Sequence, residues 1–299
     1  MSPSDPERTE AIDPATRGLD RLETDVLVRT LIESNQRSIE AVLGASPAIA
    51  RAVEIIVDRV EHRGGRLHYL GAGTSGRIGI LDAAELPPTF GVAPDVVCAH
   101  IAGGRDAVFA AVEGAEDDDE AGVRALESPY LITERDAVVG ISASGGAPFV
   151  VAAVVAAREG GAATIAMTSV ADGPLARAAE LAIVLETGAE PIAGSTRLRA
   201  GTAQKIALNA LSTAVMVRLG KVYGNLMVDV VATNAKLRRR ALQLVCMLGV
   251  VDSERATRLL RDAGGSVKVA VVMARRSVDA ATARSLLAGA GGRLRAIID

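Results

Sequence analysis

The sequence has few aromatic residues and no tryptophan, which limits the kind of core that it can build. Aromatic residues make up 2% of the 299 residues, whereas hydrophobic residues as a whole make up 49%. The core must therefore consist of Ala, Val, Leu and Ile, as in a parallel sheet that is buried on both faces by helices. The length allows one large domain and a smaller one.

Cysteine and histidine are too scarce and too scattered for a disulfide framework or a zinc cluster. Cys98 and Cys246 each lie in an apolar stretch, where a free cysteine packs as core. His62, His68 and His100 do not have the spacing of metal ligands. We therefore expect neither a metal nor a cofactor.

Charge and hydropathy exclude two further classes of protein. The net charge of -3 argues against a general nucleic-acid binder. The polar N-terminal stretch 1–8 lacks the apolar segment of a signal peptide, which predicts the cytoplasm. Ala137–Ala157 is uncharged and of roughly spanning length, but Ser142–Pro148 in its middle is typical of a turn. We interpret this stretch as strand, turn and helix, and expect no membrane segment.

A glycine turn follows the apolar run Leu67–Leu70 and opens a helix. The turn, Gly71–Gly76, contains two hydroxyl residues, Thr74 and Ser75. Glycines let the backbone approach a ligand, and the amides of a helix N-terminus can bind phosphate oxygens. We expect a phosphate group here, and expect the helix to end at the proline pair beginning at Pro87.

The same turn matches G-x-G-x-x-G, so dinucleotide binding is the alternative. That function requires an acid at the carboxyl end of the next strand. The next apolar run, Val96–Ile101, is followed by Ala102 and two glycines, and Asp95 precedes it. A sugar phosphate therefore fits the turn better than a dinucleotide.

Beyond this turn, apolar runs and helical patterns alternate, which predicts a doubly wound α/β fold with a mostly parallel, five-stranded sheet. The predicted strands are 67–70, 96–101, 137–141, 163–168 and 181–185. We predict three domains: a helical arm at 1–50, a main domain at 51–250 and a small three-helix unit at 251–299.

Several helices follow from the spacing of apolar residues. The predicted helices outside the sheet crossovers are Asp25–Val42, Pro47–Val60, a long helix ending at Leu219, Val228–Leu248, and the short helices Asp252–Ala263, Ser266–Arg276 and Asp279–Leu287. Within the crossovers we predict Arg105–Glu113 and Pro148–Glu159.

Two other polar segments could face the phosphate turn. Ser142–Gly146 follows another strand, and the carboxyl ends of parallel strands lie at one edge of a sheet. Gly194–Lys205 precedes the long helix, with Ser195 or Thr196 as its expected N-cap. This segment either closes the site from another side or is an ordinary helix entry.

Two acids attract attention, although their spacing alone is compatible with surface positions. Glu85 lies at the end of the helix that the phosphate turn opens. Glu116 lies in the acidic run 113–120, and a carboxyl in such a setting suits proton transfer.

Several sequence blocks resemble the signatures of N-acetylmuramic acid 6-phosphate etherases. They occur in the same order as in that family, and the resemblance covers nearly the whole chain. The blocks are Gly71–Phe90, Ile101–Gly104, Val112–Asp117, Gly194–Lys205 and Gly220–Asp229. The glycine turn alone indicates only a sugar-isomerase (SIS) domain, whereas the blocks that contain Glu85 and Glu116 are more specific.

This resemblance implies hydrolysis of the lactyl ether to N-acetylglucosamine 6-phosphate and D-lactate, by elimination and then hydration, in peptidoglycan recycling. Glu85 matches the family's proton donor and Glu116 its second catalytic acid. We expect Glu85 to protonate the leaving oxygen and Glu116 to exchange the carbon-bound proton. The candidate substrate-binding residues are Gly73, Thr74, Ser75, Gly76, Arg77, Ser142, Ser144, Gly145, Ser195 and Thr196.

The resemblance also implies a homodimer. In a straight helix, a rise of about 1.5 Å per residue places Glu85 roughly 15 Å from the phosphate turn. Because this is long for one sugar phosphate, either the chain bends or a second subunit contributes to the site.

The sequence departs from the family at Ser142–Phe149. Gly146 and Ala147 stand where family members usually have Arg and Thr, so contacts to an anionic substrate could differ. The alternative functions are a non-catalytic sugar-phosphate regulator of the glucokinase-regulator type and an aldose-ketose isomerase. The presence of both acids in their blocks favours the etherase.

Overall fold

The computed structural model describes residues 10–127, 131–232 and 234–299, so the polar stretch 1–8 lies outside the described residues. These residues form two compact units. The first contains residues up to 84 and 95–212, and the second contains 85–94 and 213–299.

A parallel sheet is the centre of the first unit. Its strands are β1 (Leu67–Gly71), β2 (Val97–Ile101), β3 (Ala137–Ile141), β4 (Ala163–Thr168) and β5 (Leu181–Val184). The five strands are ordered β2-β1-β3-β4-β5, and each neighbouring pair is parallel. The predicted α/β sheet is confirmed.

The register of the sheet aligns the ends of three strands. Gly71, the last residue of β1, pairs with Ile101 of β2 and Ile141 of β3. Every residue of β1, β3 and β4 is buried, which explains why these strands are apolar runs in the sequence. The segments that follow β1, β2 and β3 therefore leave the sheet at one edge.

Helices flank this sheet and precede it. They are α1 (Thr24–Glu33), α2 (Gln36–Gly44), α3 (Ser46–Val57), α4 (Gly73–Phe90), α5 (Asp106–Phe109), α6 (Asp119–Arg124), α7 (Pro148–Glu159), α8 (Pro174–Ala178) and α9 (Arg199–Arg218). The segment Ala137–Ala157 forms β3, a turn and most of α7, as predicted. Within the described ranges, no helix combines the length and apolarity needed to cross a bilayer.

The predicted single helix Asp25–Val42 is wrong, because the chain forms two helices there. The Oγ of Ser34 donates to the carbonyl of Leu31 at 2.8 Å, and the Nδ2 of Asn35 donates to the same carbonyl at 2.9 Å. Side chains that bond to nearby carbonyls compete with helical amides. The break between α1 and α2 falls at these two residues.

The predicted end of α4 at Pro87 is also wrong, since the helix continues through both prolines to Phe90. Proline has a backbone angle compatible with a helix, but it lacks an N–H donor and its ring crowds the carbonyl four residues back. Close to the end of a helix this loss is tolerated, and the amide of Gly91 bonds to the carbonyl of Pro87 at 2.9 Å. The prediction Arg105–Glu113 is likewise too long, because α5 ends at Phe109.

The second unit is mainly helical and has its own apolar core. Its elements are the hairpin β6 (Val222–Tyr223) and β7 (Leu226–Met227) and the helices α10 (Ala235–Gly249), α11 (Ser253–Asp262), α12 (Val267–Arg276), α13 (Ala280–Gly289) and α14 (Arg295–Ile298). The predicted helix Val228–Leu248 begins too early, because the side chain of Asn234 caps α10 by accepting the amide of Leu237 at 2.9 Å. The three predicted short helices are confirmed.

Lys268 lies buried in the second unit and bonds to three segments. Its Nζ donates to Asp229 Oδ2 at 2.6 Å, to the carbonyl of Gly220 at 2.9 Å and to that of Gly292 at 2.8 Å. Burial lowers the pKa of Lys268, although Asp229 acts in the opposite direction. The block Gly220–Asp229 thus contributes two partners of one buried cation.

Candidate active site

The N-terminus of α4 lies directly after β1, as the sequence predicts. Gly73 begins the helix with a φ of 50°, a conformation that favours glycine. The amide of Gly76 bonds to the carbonyl of Ala72 at 3.2 Å. The amides of Gly73, Thr74 and Ser75 come before it and have no carbonyl one turn back in the helix. Together with the hydroxyl of Thr74, they can bind an anion.

The turn after β3 presents hydroxyls rather than helix amides. Ser142 is buried and Ser144 is exposed. The amide of Gly146 donates to the Oγ of Ser144 at 3.3 Å. The following helix, α7, begins with Pro148, which has no N–H to offer a ligand. This second turn can therefore contribute side-chain oxygens.

A cavity of about 500 Å³ lies between these two turns. Its volume is within the range of small-molecule sites. The predicted residues that line it are Gly73, Thr74, Ser75, Ser142, Ser144, Thr196 and Glu116. The structure thus brings together hydroxyls from three segments and one of the two predicted catalytic carboxylates.

Glu116 reaches this cavity from the 3-10 turn Ala115–Asp117, and its side chain is exposed. Arg77 holds the preceding segment. Its Nε donates to the carbonyl of Val108 at 3.1 Å, and its Nη2 donates to that of Ala110 at 2.9 Å. Arg77, predicted to bind substrate, thus also fixes the path of the chain towards Glu116.

Four of the predicted substrate-binding residues, namely Arg77, Gly76, Gly145 and Ser195, are not among the described residues that line this cavity. A Cβ on Gly76 would lie 2.6 Å from Cγ1 of Ile101, so this glycine permits close packing. Gly145 has a φ of 68°, and a Cβ there would lie 2.7 Å from Oγ1 of Thr168. Ser195 lies in the segment before α9. Gly76 and Gly145 shape the two turns.

The predicted N-cap of α9 by Ser195 or Thr196 is wrong, because Glu190 serves this end of the helix. Its carboxylate accepts the amide of Arg199 at 2.8 Å and that of Ala200 at 2.9 Å. Glu190 is 1% exposed, and burial raises its pKa while these hydrogen bonds lower it. Because Glu190 lies nine residues before Arg199, no local sequence pattern predicts this cap.

Arg199 joins the start of α9 to the N-terminal segment. Its Nη1 donates to Asp13 Oδ2 at 2.7 Å and also bonds the carbonyl of Ala189, while its Nε donates to the carbonyl of Ser34 at 3.0 Å. Although burial works against it, the hydrogen bond from Arg199 holds the pKa of Asp13 below its usual value. Arg199 is therefore a buried structural cation.

Two hydrogen-bonded groups support α4 below the cavity. The Oγ of Ser75 donates to Gln204 Oε1 at 2.9 Å. Asp82 accepts the hydroxyl of Tyr69 at 3.1 Å and that of Ser212 at 3.2 Å, and burial raises the pKa of Asp82. Sequence reasoning missed these partners because Gln204 and Ser212 are distant in the chain.

Sequence reasoning also missed part of the cavity wall. The additional polar or turn residues that line it include Asp117, Gly146, Ala147 and Pro148. These residues lie close in sequence to Glu116 and Ser144, which were predicted to be in the site. That closeness was the one sequence feature that could have indicated them.

Glu85 lies on α4 with an exposed side chain. It is the first residue of the second compact unit. Its catalytic role stays a prediction that depends on its match to the family motif.

His68 and His100 form a buried pair on neighbouring strands. The Nδ1 of His68 lies 3.1 Å from the Nε2 of His100, and the rings stack with centroids 5.4 Å apart. Burial lowers the pKa of both, that of His68 to about 4 with a contribution from His100. In the part of the chain that the structure describes, no group of three or more His, Cys, Asp or Glu residues could hold a metal.

Comparison with solved structures shows the fold. A Bacteroides fragilis protein assigned as a phosphosugar isomerase involved in capsule formation is 22% identical, with a TM-score of 0.51, over 67% of this chain and 94% of its own. A protein of Escherichia coli CFT073 is 15% identical, with a TM-score of 0.50, over 68% of this chain and 97% of its own.

Two family models match the part of the chain that contains the five-stranded sheet. The model of the glucokinase regulatory protein N-terminal SIS domain matches residues 48–158, and that of the SIS domain matches residues 125–214. The predicted SIS fold is thereby confirmed.

Curated relatives cover nearly the whole chain. The N-acetylmuramic acid 6-phosphate etherase of Deinococcus radiodurans is 47% identical over 99% of this chain and 96% of its own length. That of Symbiobacterium thermophilum is 52% identical over 85% of this chain and 84% of its own length. That of Salmonella enteritidis is 47% identical over 97% of each. The chain belongs to the family of N-acetylmuramic acid 6-phosphate etherases.

Proposed function

We propose that this chain cleaves the D-lactyl ether of N-acetylmuramic acid 6-phosphate with water, giving N-acetylglucosamine 6-phosphate and D-lactate. The observation that carries the proposal is the cavity in which Glu116 and the N-terminus of α4 line the same space. Membership of the etherase family supports the choice of substrate.

The walls of the cavity suggest how the substrate binds. The amides at the start of α4 and the hydroxyl of Thr74 suit the phosphate, whereas the hydroxyl of Ser75 donates its proton to Gln204. Ser142, Ser144 and Thr196 offer further hydroxyls to the sugar. We infer that the phosphate anchors the substrate and leaves the other end of the sugar near Glu116.

The reaction we propose is an elimination followed by hydration, which makes the enzyme a carbon–oxygen lyase. In the open-chain sugar, the proton on the carbon next to the aldehyde is acidic enough for a carboxylate to remove. The electron pair forms a carbon–carbon double bond, the bond to the lactyl oxygen breaks, and an acid protonates that oxygen. Water then adds its hydroxyl to the carbon that carried the lactyl oxygen, and a proton returns to the carbon next to the aldehyde.

Glu116 is our candidate for the exchange of the carbon-bound proton, because it lines the cavity. Glu85 is our candidate for the proton donor to the leaving oxygen, on the basis of its position in the family motif. A homodimer, a cytoplasmic location and a role in peptidoglycan recycling belong to the same proposal.

Lactate release by the purified chain tests this function. Glu116→Gln should lower the rate by about 10²–10⁴-fold, the usual contribution of acid–base catalysis. Glu120→Gln is the matched control, since Glu120 is an exposed acid of the same run and pairs with Arg124. The control should keep the parent's rate.

Other outcomes would point to the alternatives. Saturable binding of the sugar phosphate by the parent without any lactate release would indicate a regulator of the glucokinase-regulator type. Conversion of the sugar phosphate without lactate release would indicate an isomerase. Equal rates for the parent and Glu116→Gln would remove Glu116 from the mechanism. The same assay on Glu85→Ala tests the proposed donor.

A further inference from the structure

A second cavity, of about 350 Å³, adjoins the first one. The two cavities share Ala72, Gly73 and Glu116. The wall of the second cavity combines small apolar residues with one cation and two acids. The apolar residues are Ala72, Ala102, Ala107, Ala111, Val112 and Ala115, and the charged ones are Arg77, Glu113 and Glu116. The first cavity is rich in hydroxyls, so the two spaces suit different chemical groups.

Arg77 is the one cation among the described residues that line the two cavities. An arginine carries five N–H donors. Its Nε and Nη2 bond to the carbonyls of Val108 and Ala110, and these bonds fix the guanidinium in the wall. The Nη1 group has two more donors, which can bind a carboxylate.

The substrate of the proposed reaction has two anionic groups of different shape. Its phosphate suits the amides at the start of α4 and the hydroxyl of Thr74. Its lactyl group combines a carboxylate with one methyl group. A cavity with a fixed guanidinium and a wall of alanines offers a partner to each of these two parts.

We propose that the second cavity binds the lactyl group, with Arg77 on its carboxylate and the alanine wall on its methyl group. This inference rests on the proposed function and assigns a specificity subsite to it. Arg77 is then a specificity residue as well as a positioning residue for the chain that leads to Glu116.

The position of Glu116 agrees with this assignment. Glu116 lies in both walls, so it lies where the two spaces meet. With the sugar phosphate in the first cavity and the lactyl group in the second, the ether bond between them crosses this boundary. The carbon-bound proton to be removed is on the carbon next to that ether.

The test compares a ligand that has the lactyl group with one that lacks it. Dissociation constants of N-acetylmuramic acid 6-phosphate and N-acetylglucosamine 6-phosphate are measured by calorimetry in the Glu116→Gln background, in which turnover is expected to be slow. Ala111→Leu adds bulk to the second cavity at an exposed position. Ala171→Leu makes the same change at an exposed residue that lines neither cavity and is the matched control.

We expect Ala111→Leu to weaken binding of the lactyl ligand by about tenfold, which is the usual effect of a misfit of this size. Its affinity for N-acetylglucosamine 6-phosphate should not change, and Ala171→Leu should change neither affinity. Arg77→Met should weaken the lactyl ligand more than the product. For this variant, only the ratio of the two constants is used, because loss of the carbonyl bonds affects both.

Equal weakening of both ligands by Ala111→Leu would overturn the inference, because the second cavity would then bind the sugar. Unchanged affinity for both would overturn it too. The parent's lactate release is measured separately. If the parent releases lactate and the affinity ratio is unchanged, only this inference fails; if it releases none and the ratio shifts, the catalytic proposal fails and the subsite remains.

Discussion

The turns after β1 and β3 border one cavity, but Gly71 and Gly76 of the first turn are packed much more tightly than Gly146 of the second. A Cβ on Gly71 would lie 2.6 Å from the nitrogen of Gly76, and one on Gly76 would lie 2.8 Å from the carbonyl oxygen of Gly71. In the other turn, a Cβ on Gly146 would meet only Oγ of Ser144, at 3.8 Å. The first turn is closed by its own backbone, whereas the second has room at Gly146.

This difference shows where the site can vary. The first turn has no space for a side chain at Gly71 or Gly76, and its sequence matches the family block. The second turn is where the chain departs from the family, with Gly146 and Ala147 in place of Arg and Thr. A position with open space can gain or lose a side chain without repacking the sheet.

The largest effect is expected from filling the closed turn. Gly76→Ala should reduce the free energy of unfolding by about 3 kcal/mol, because the new methyl group overlaps backbone and Ile101. Urea unfolding measures this change, and Gly146→Ala is the control that should stay within about 0.5 kcal/mol of the parent. Similar losses for both variants would break the comparison between the turns.

The second-largest effect is a change of stability with pH, and it depends on the strand that precedes each turn. β1 contains His68, paired with His100, whereas β3 has no titratable residue. Burial and His100 lower the pKa of His68 to about 4, while Asp136 raises it and Arg66 lowers it. At pH values between the ordinary histidine pKa and about 4, His68 is therefore protonated in the unfolded chain but mostly neutral in the folded chain.

Stability should consequently fall as the pH falls through this window, by about 2 kcal/mol at a pH of about 5 relative to neutral pH. Urea unfolding at both pH values, for the parent and for His68→Leu, measures the contribution. The variant should have the smaller pH dependence. An equal slope for both proteins would mean that other groups cause the acid sensitivity.

The smallest change in stability is expected from Gly146→Arg. The position has open space and needs no positive φ, so the free energy of unfolding should stay within about 0.5 kcal/mol. The added guanidinium should instead lower the KM for an anionic substrate, because Gly146 lines the cavity. A marked loss of stability would show that the second turn is as closed as the first.

Local patterns predicted the sheet well. The predicted strands 67–70, 137–141, 163–168 and 181–185 match the observed ones to within one residue at each end. Strands buried on both faces need apolar side chains at every position, so the sequence marks them directly. The meeting of Thr74, Ser75 and Ser142 in one cavity followed from the common edge of parallel strands.

Interactions between distant residues could not be predicted in the same way. Glu190 caps α9, Gln204 holds Ser75, and His68 pairs with His100, yet no spacing rule joins these residues. The dual contact of Arg77 with the segment before Glu116 is of the same kind. The sequence marks which residues can lie at strand ends, whereas only packing decides which of them touch.

The bonds of Arg199 also affect how the protein opens. One guanidinium connects Asp13, Ser34 and Ala189, and the carboxylate of Glu190 covers the first amides of α9. Separating any of these segments leaves a buried charge without its partner, which is costly. The N-terminal segment and the entrance of α9 should therefore expose their amide hydrogens to exchange together, as one cooperative unit.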